Sequence, residues 1–359
     1  LTSENILTPE VAFNTASSWN DPSNVADMVI VTSAEFAPEL APLIALRQSQ
    51  GLQVVTVDVQ DLYDEFSFGL KSANAIRSFL RYAHNHWKTA PRWVLFVGDA
   101  TYDPKDHLGL GEDFVPTKLV DSGWLETASD DWFVDFDLDS APDMAVGRLP
   151  VGTPSETAAV VDKIVQSGGT MILDQATFVA DEALGENFQA INLDLAQLMP
   201  PTMPIGQVVV DDVGSATARA QLLQAFADGV PLIHYSGHGT VDQVRGGLLT
   251  VADADNLGST SGLVTLMDCL TGMYHEPLLE GLGEALVNRA NAGPVMVLSS
   301  TGISGATQQS SLMAALYDAV FNGGVQTVGE AVSMAKEAID SETRQTWILI
   351  GDPATPVIR

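Results

Sequence analysis

The chain is poor in cysteine and in basic charge. One cysteine, Cys269, occurs in 359 residues. This excludes an internal disulfide, a zinc ribbon and redox chemistry that needs a resolving thiol in the same chain. Lysine and arginine total 16 against 46 aspartates and glutamates, a formal net charge of −30. Nucleic acid, which requires a basic footprint, is therefore not an expected partner. The charge fits a solvated surface, cationic substrates, divalent cations or a saline habitat. No apolar run reaches the length of a membrane span, so a soluble chain is expected. No signal peptide heads the sequence, which starts at Leu1, and a processed or excised form is expected. There is neither a Gly-x-Gly-x-x-Gly after the first strand nor a Gly-Lys-Ser/Thr loop, which excludes the common nucleotide-binding α/β designs.

What is present is alternation. Apolar, β-branched runs at 27–32, 53–59, 93–99 and 142–150 are separated by helical patterns at 38–50, 72–87 and 154–167. After Gly168-Gly169 the pattern resumes, with strands at 176–180, 206–210, 294–300 and 347–350. Helices are expected there at 186–199, 216–228, 278–291, 308–321 and 327–341. Strand and helix in turn imply an α/β chain whose mostly parallel sheets are flanked by helices. Length and the double glycine divide it into a lead-in (1–26) and two side-by-side subdomains, 27–169 and 170–359.

Within the second subdomain, the stretch from Val230 to Cys269 begins and ends alike. Val-Pro-Leu-Ile-His-Tyr-Ser-Gly runs into His238-Gly239, and Gly-Leu-Val-Thr-Leu-Met-Asp runs into Cys269. Each is an apolar run that stops on a reactive residue. At the carboxyl edge of a parallel sheet such residues meet in the ligand crevice. A thiol and an imidazole there supply a nucleophile and its proton carrier. A buried structural cysteine and a turn histidine are the alternatives. His234, on the same strand face as His238 by period-2 alternation, reads as a hydrogen-bonded core residue.

In the first subdomain Asp135, Asp137 and Asp139 alternate, and on an extended strand they would share a face. They suit a structural calcium ion or a solvated edge. No glycine and distal glutamate of a helix-loop-helix calcium site accompany them.

Seven motifs in order resemble the catalytic region of the gingipain-like cysteine peptidases (family C25), of the same clan as the caspases. They are Trp93-Val-Leu-Phe-Val-Gly-Asp99, Ser129-Asp-Asp131-Trp-Phe, Pro142-Asp143-Met-Ala-Val-Gly-Arg148-Leu-Pro, Tyr235-Ser-Gly-His238-Gly239, Asp268-Cys269, Val297-Leu-Ser-Ser-Thr301 and Ile350-Gly-Asp-Pro353. The resemblance implies a caspase-like fold with chemistry confined to the second subdomain. It implies an endopeptidase working through a thioester on Cys269, with His238 as general acid/base and no cofactor required for the chemistry. Gly239 and Cys269 would give oxyanion-hole N–H groups, and Asp143 would orient the imidazole; its alternatives are a charge partner of Arg148 or a helix cap. Substrate contacts are expected from Thr301, Gly302 and Ile303, with Asp268 or Glu156 as a source of charge, because Ser299–Gln308 contains no acid. The resemblance also implies a protein or peptide substrate, secretion or surface display, and a longer multidomain precursor. A sortase-like transpeptidase on the same site, or a non-catalytic surface module that kept the fold, are the competing readings.

Overall fold

The computed structural model describes residues 15–111, 113–339 and 342–359. The first half contributes β1 (Met28–Thr32), α1 (Ala41–Ser49), β2 (Val54–Asp58), α2 (Val59–Ser67), α3 (Ala73–His86) and β3 (Trp93–Val97). A hairpin of β4 (Leu119–Asp121) and β5 (Glu126–Ala128) follows, then β6 (Ala145–Leu149) and α4 (Pro154–Gln166). The second half runs β7 (Met171–Ile172), β8 (Ala176–Ala180), α5 (Phe188–Ala196), β9 (Ile205–Val209), α6 (Val210–Val213), α7 (Ser215–Ala227), β10 (Leu232–Ser236) and β11 (Ser259–Met267). It ends with α8 (Leu282–Asn288), β12 (Gly293–Ser300), α9 (Ala306–Phe321), α10 (Val328–Glu337), β13 (Trp347–Ile350) and β14 (Val357–Ile358).

Ten strands form one sheet in the order β2-β1-β3-β6-β13-β12-β11-β10-β8-β9. Every neighbouring pair is parallel except β12 and β13. The strands of the two halves thus run in opposite directions, and β13 is the seam. β1, β3, β6, β8, β10 and β12 are buried along their whole length. This is why they read as continuous apolar runs. Alternate side chains enter two cores: Met28, Ile30 and Leu95 on one face, Val29, Val31, Val94 and Phe96 on the other.

Local chemistry sets the helix starts. Ser72 caps α3 through the Asn74 N–H, and Ile76, Phe79, Leu80 and Ala83 form its buried face. Thr153 caps α4 with Pro154 in the first turn. Helix α2 directly follows β2, where the sequence pattern showed no element between 59 and 72. Asp58 accepts from the Gln60 N–H and starts the helix, and Leu62 and Tyr63 bury its inner face. The lead-in divides: residues 1–14 lie outside the described residues, whereas Trp19 packs edge-on against Phe79.

Residues 135–139 are not a strand. Asp135 accepts from the N–H groups of Leu138 and Ser140, and Asp137 from that of Asp139. Leu138 and Ser140 take φ of 69° and 71°. Aspartates that can hydrogen-bond neighbouring amides turn the chain instead of extending it.

A buried hydrogen bond and a buried ion pair join the halves. Arg148 on β6 is fully buried against Asp130, with Tyr274 hydrogen-bonded to the same carboxylate. Lys336 on α10 donates to Asp131 and to the Trp347 carbonyl on β13.

Candidate active site

Register builds the site. β10 and β11 pair so that Ser236 lies opposite Met267. Two residues beyond Ser236 stands His238, and two beyond Met267 stands Cys269. The strands are anchored right up to that edge, since the Gly237 N–H donates to the Met267 carbonyl at 3.1 Å. Neighbouring parallel strands are about 4.8 Å apart, so His238 and Cys269 follow the ends of adjacent strands at the same offset. β8 lies on the other flank of β10, with Ala180 opposite Ser236. The same step of two residues there reaches Glu182. Acid, imidazole and thiol therefore occupy equivalent positions past three adjacent strands.

His238 is exposed, and Phe188 meets its ring edge-on with centroids 5.4 Å apart. Its main chain is fixed from several sides. The His238 N–H donates to Asp181 Oδ2 at 3.3 Å, and its carbonyl accepts from Tyr235 Oη at 3.0 Å and from the Arg245 N–H at 2.8 Å. Arg245 also pairs with Asp181 and Glu182. The sequence reading missed this acidic pair. Its signal was present: the strand at 176–180 ends on Asp181-Glu182, as its neighbours end on His238 and Cys269.

Cys269 is partly buried, and its Sγ lies 3.7 Å from the Ser304 carbonyl and 3.6 Å from Gln309 Nε2. Gln309 also donates to the Asp268 and Ser304 carbonyls, which ties the nucleophile turn to the loop after β12. Burial pushes the thiol above its ordinary pKa, with Asp268 adding to the rise and the contacts to Ser304 and Gln309 opposing it. A thiol that rests protonated needs a base at the moment of attack. Among the described residues, neither the Gly239 N–H nor the Cys269 N–H has a hydrogen-bond partner. Gly239 is required by space: a β-carbon there would sit 2.4 Å from Asp268 Oδ2 and 2.9 Å from the Cys269 carbonyl oxygen.

Several expected residues lie elsewhere. Asp143 precedes β6, and four strand intervals of about 4.8 Å each separate β6 from β10. Its Oδ2 accepts from the Phe136 N–H, and its carboxylate groups with Asp135 and Asp137, with ligand oxygens within 4.8 Å of one another. Asp139 is not in that group, because its carboxylate turns to the Ala141 N–H. Three carboxylates suit a hard cation such as calcium, and their amide bonds leave lone pairs for coordination.

Asp268 does not reach the surface. It is fully buried, Thr271 donates to its Oδ1 at 2.6 Å, and burial holds its carboxyl well above the usual range. Glu156 lies at the opposite sheet edge, beyond the carboxyl end of β6, where it accepts from the Gly152 N–H. Thr301 is buried and bonded to the Ala128 and Thr346 carbonyls, and the Gly302 carbonyl accepts from the Leu270 N–H. Both are buried and tie the loop after β12 to its neighbours. Ile303 is 38% exposed and, with Ser122, Trp124 and Ser304, lines a cavity of about 250 Å³. His234 is a core residue: it bonds to Thr265, Tyr317 and Ser236, and burial pushes its pKa down to about 3.

No curated sequence matches the chain. Among solved structures, the Arg-specific cysteine proteinase gingipain R superposes with a TM-score of 0.76 at 17% identity, covering 96% of this chain and 80% of that one. The complex of Porphyromonas gingivalis RgpB pro- and mature domains gives a TM-score of 0.75 at 17% identity, covering 92% and 79%. These likenesses show the gingipain-like fold. The sequence pattern of peptidase family C25 matches residues 21–358. With the match running from the lead-in to the last strand, the chain belongs to peptidase family C25 and is a cysteine peptidase.

Proposed function

We propose that the protein is an endopeptidase acting through a thioester on Cys269. The observation that carries this is the common offset of His238 and Cys269 beyond the paired residues Ser236 and Met267. His238 takes the Sγ proton as sulfur attacks the scissile carbonyl carbon. The carbonyl oxygen becomes an oxyanion received by the Gly239 and Cys269 N–H groups, whose lack of protein partners leaves them to serve it. On collapse the C–N bond breaks, the imidazolium protonates the departing amine, and an acyl-thioester remains. Water then attacks the thioester with His238 as base, releasing the acid and restoring the thiol.

In this reading the acid that supports the imidazole comes from the end of β8, with Glu182 in register and Asp181 on the His238 backbone. Asp143 belongs instead with Asp135 and Asp137, which would hold a structural calcium ion away from the chemistry. The substrate is a protein or peptide. Among the described residues no helix is long and apolar enough to cross a membrane, and we place the enzyme outside the cell or on its surface, within a longer precursor, on family grounds.

The test is labelling with peptidyl acyloxymethyl ketones, read by intact mass. One adduct on the wild type and none on Cys269→Ala is expected; no adduct with any probe would leave a binding module with a peptidase fold. Adding a peptide amine separates hydrolysis from acyl transfer, since a transpeptidase would yield the ligated peptide.

A further inference from the structure

The order β2-β1-β3 makes β1 a turning point of the first half: from β1 the chain goes out to β2, then returns to the far side of β1 as β3. In open α/β sheets the carboxyl ends of such strands frame a ligand crevice. A cavity of about 380 Å³ lies there, within the ~300–1,000 Å³ of sites that enclose a small ligand. Glu35 reaches it from the segment after β1, Tyr63 from α2 directly after β2, and Asp103, Asp106 and Asp113 from the loop after β3. Because β12 and β13 are antiparallel, this is the sheet edge opposite to the one that carries His238 and Cys269.

Two independent features mark the cavity. Tyr63 is only 4% exposed, and among the described residues its Oη has no hydrogen-bond partner. A buried hydroxyl left unpaired is costly to the fold, and a ligand in the cavity would supply the missing partner. The second feature is charge. Of the four acids, Asp113 is answered by Lys71, whose Nζ lies 3.0 Å from its Oδ2. Glu35, Asp103 and Asp106 have no ion pair among the described residues. Like charges gathered around a concavity raise the local concentration of a counter-ion.

The arrangement favours an organic cation over a metal. Among the described residues, only Asp135, Asp137 and Asp143 bring three ligand oxygens within 4.8 Å of one another. The acids of this cavity are spread around its wall and do not converge on a point. Spread carboxylates suit a cation with several N–H donors and some length. Burial, with Asp113 adding to it, pushes the Tyr63 phenol up, so it stays neutral. Its oxygen then accepts a hydrogen bond from an ammonium group, which has three to give.

We infer that this cavity binds a small organic ammonium ion, a primary amine on a short carbon chain, through Glu35, Asp106 and the Tyr63 hydroxyl. The amine is that of a free compound or of a lysine side chain, since both present the same group. The inference does not depend on the peptidase reading, and labelling of Cys269 bears on neither its success nor its failure.

The test is calorimetric titration of the full chain with putrescine and with Nα-acetyl-lysine amide, with calcium chloride and glucose as comparators. It is run at physiological salt, where charges more than about 8 Å apart are screened. One saturable site for an amine is expected; preference for putrescine identifies a free compound, and preference for the lysine derivative a side chain. Tyr63→Phe keeps the ring and should weaken binding roughly tenfold or more, the scale of a hydrogen bond to a charged group. Glu35 is exposed, so Glu35→Gln leaves the fold intact and should weaken binding as well. Unchanged affinity in both variants would show diffuse attraction by the −30 net charge and overturn the inference. So would the absence of binding by either amine, or tighter binding of calcium or glucose that Tyr63→Phe abolishes.

Discussion

A β-carbon placed on Gly239 would lie 2.4 Å from Oδ2 of Asp268, the residue preceding the nucleophile. The imidazole turn and the thiol turn thus touch through a glycine and a fully buried acid. Among the described residues Asp268 Oδ2 has no hydrogen-bond partner, so the contact is one of shape. It keeps the Gly239 and Cys269 N–H groups together.

Gly239→Ala should therefore separate those two donors. Overpacking of this kind costs about 1–3 kcal/mol of stability, and loss of one oxyanion donor lowers kcat by roughly 10²–10³. Asp268→Gly in the same chain should return part of both, a coupling that a double-mutant cycle reads directly. Equal losses in the single and double mutants would show that the contact is incidental.

The third member of the site can be assigned by comparing acids. His238→Ala should lower kcat/KM by about 10²–10⁴, the range of general acid–base contributions. Glu182→Gln should lower it by roughly tenfold or more, as loss of an orienting carboxylate does elsewhere. With calcium saturating, Asp143→Asn should stay near wild type. A collapse of activity in Asp143→Asn with unchanged melting would return that residue to the site.

Calcium should act on stability. Binding at one hundred times Kd adds about 2.7 kcal/mol, which calorimetry with and without chelator would register as a shift in Tm. Asp137→Asn should remove most of that shift. A calcium-independent Tm in the wild type would show that the three carboxylates are only solvated.

Several carboxyls should make the fold less stable as pH rises. Burial lifts Asp99 to about 7 against the opposing Ala100 N–H and Arg148, and lifts Asp131 to about 6 against Lys336. Burial also holds Glu284 well above its usual range, with Asp99 and Glu280 adding to the rise. A folded pKa above the unfolded one means that the native state binds the proton more tightly. That stabilisation is full below the ordinary value of 3.8 and is lost as pH climbs through about 6 to 7. Between pH 5 and 8 this loss is opposed by the gain from His234 and Lys163, which burial holds down to about 3 and about 7, so the carboxyls are read by substitution: Glu284→Gln should raise Tm more at pH 8 than at pH 5. An equal change in Tm at the two pH values would count against a tightly held proton on Glu284.

The strands were legible because a parallel strand covered on both faces must be apolar throughout, and 27–32, 93–97 and 294–300 show this directly. The ends of those strands were legible as chemistry for His238 and Cys269. Lateral order was not. Whether β6 lies beside β10 or four strands away depends on pairings between distant segments, and no periodicity within Pro142–Pro150 records them. Asp143 was misplaced for that reason. Glu182 was passed over although it follows a recognised strand. The hairpin bearing Trp124 escaped because its strands are only three residues each, too short for alternation to show. Helix α2 was hidden by the β-branched run before it, although Asp58 had the character of a cap.

β13 has a consequence for how the molecule is made. It lies between β6 and β12, yet it follows both of them in the sequence. Until it arrives, each half presents a bare, apolar strand edge to the solvent, and such edges pair readily with the wrong chain. A nascent chain halted before residue 347 would hold two unfinished sheets with the Lys336 amine still lacking its Trp347 carbonyl. The Thr301 N–H likewise waits for the Thr346 carbonyl, 2.8 Å away, so docking of β13 both closes the sheet and fastens the start of the loop that touches Cys269.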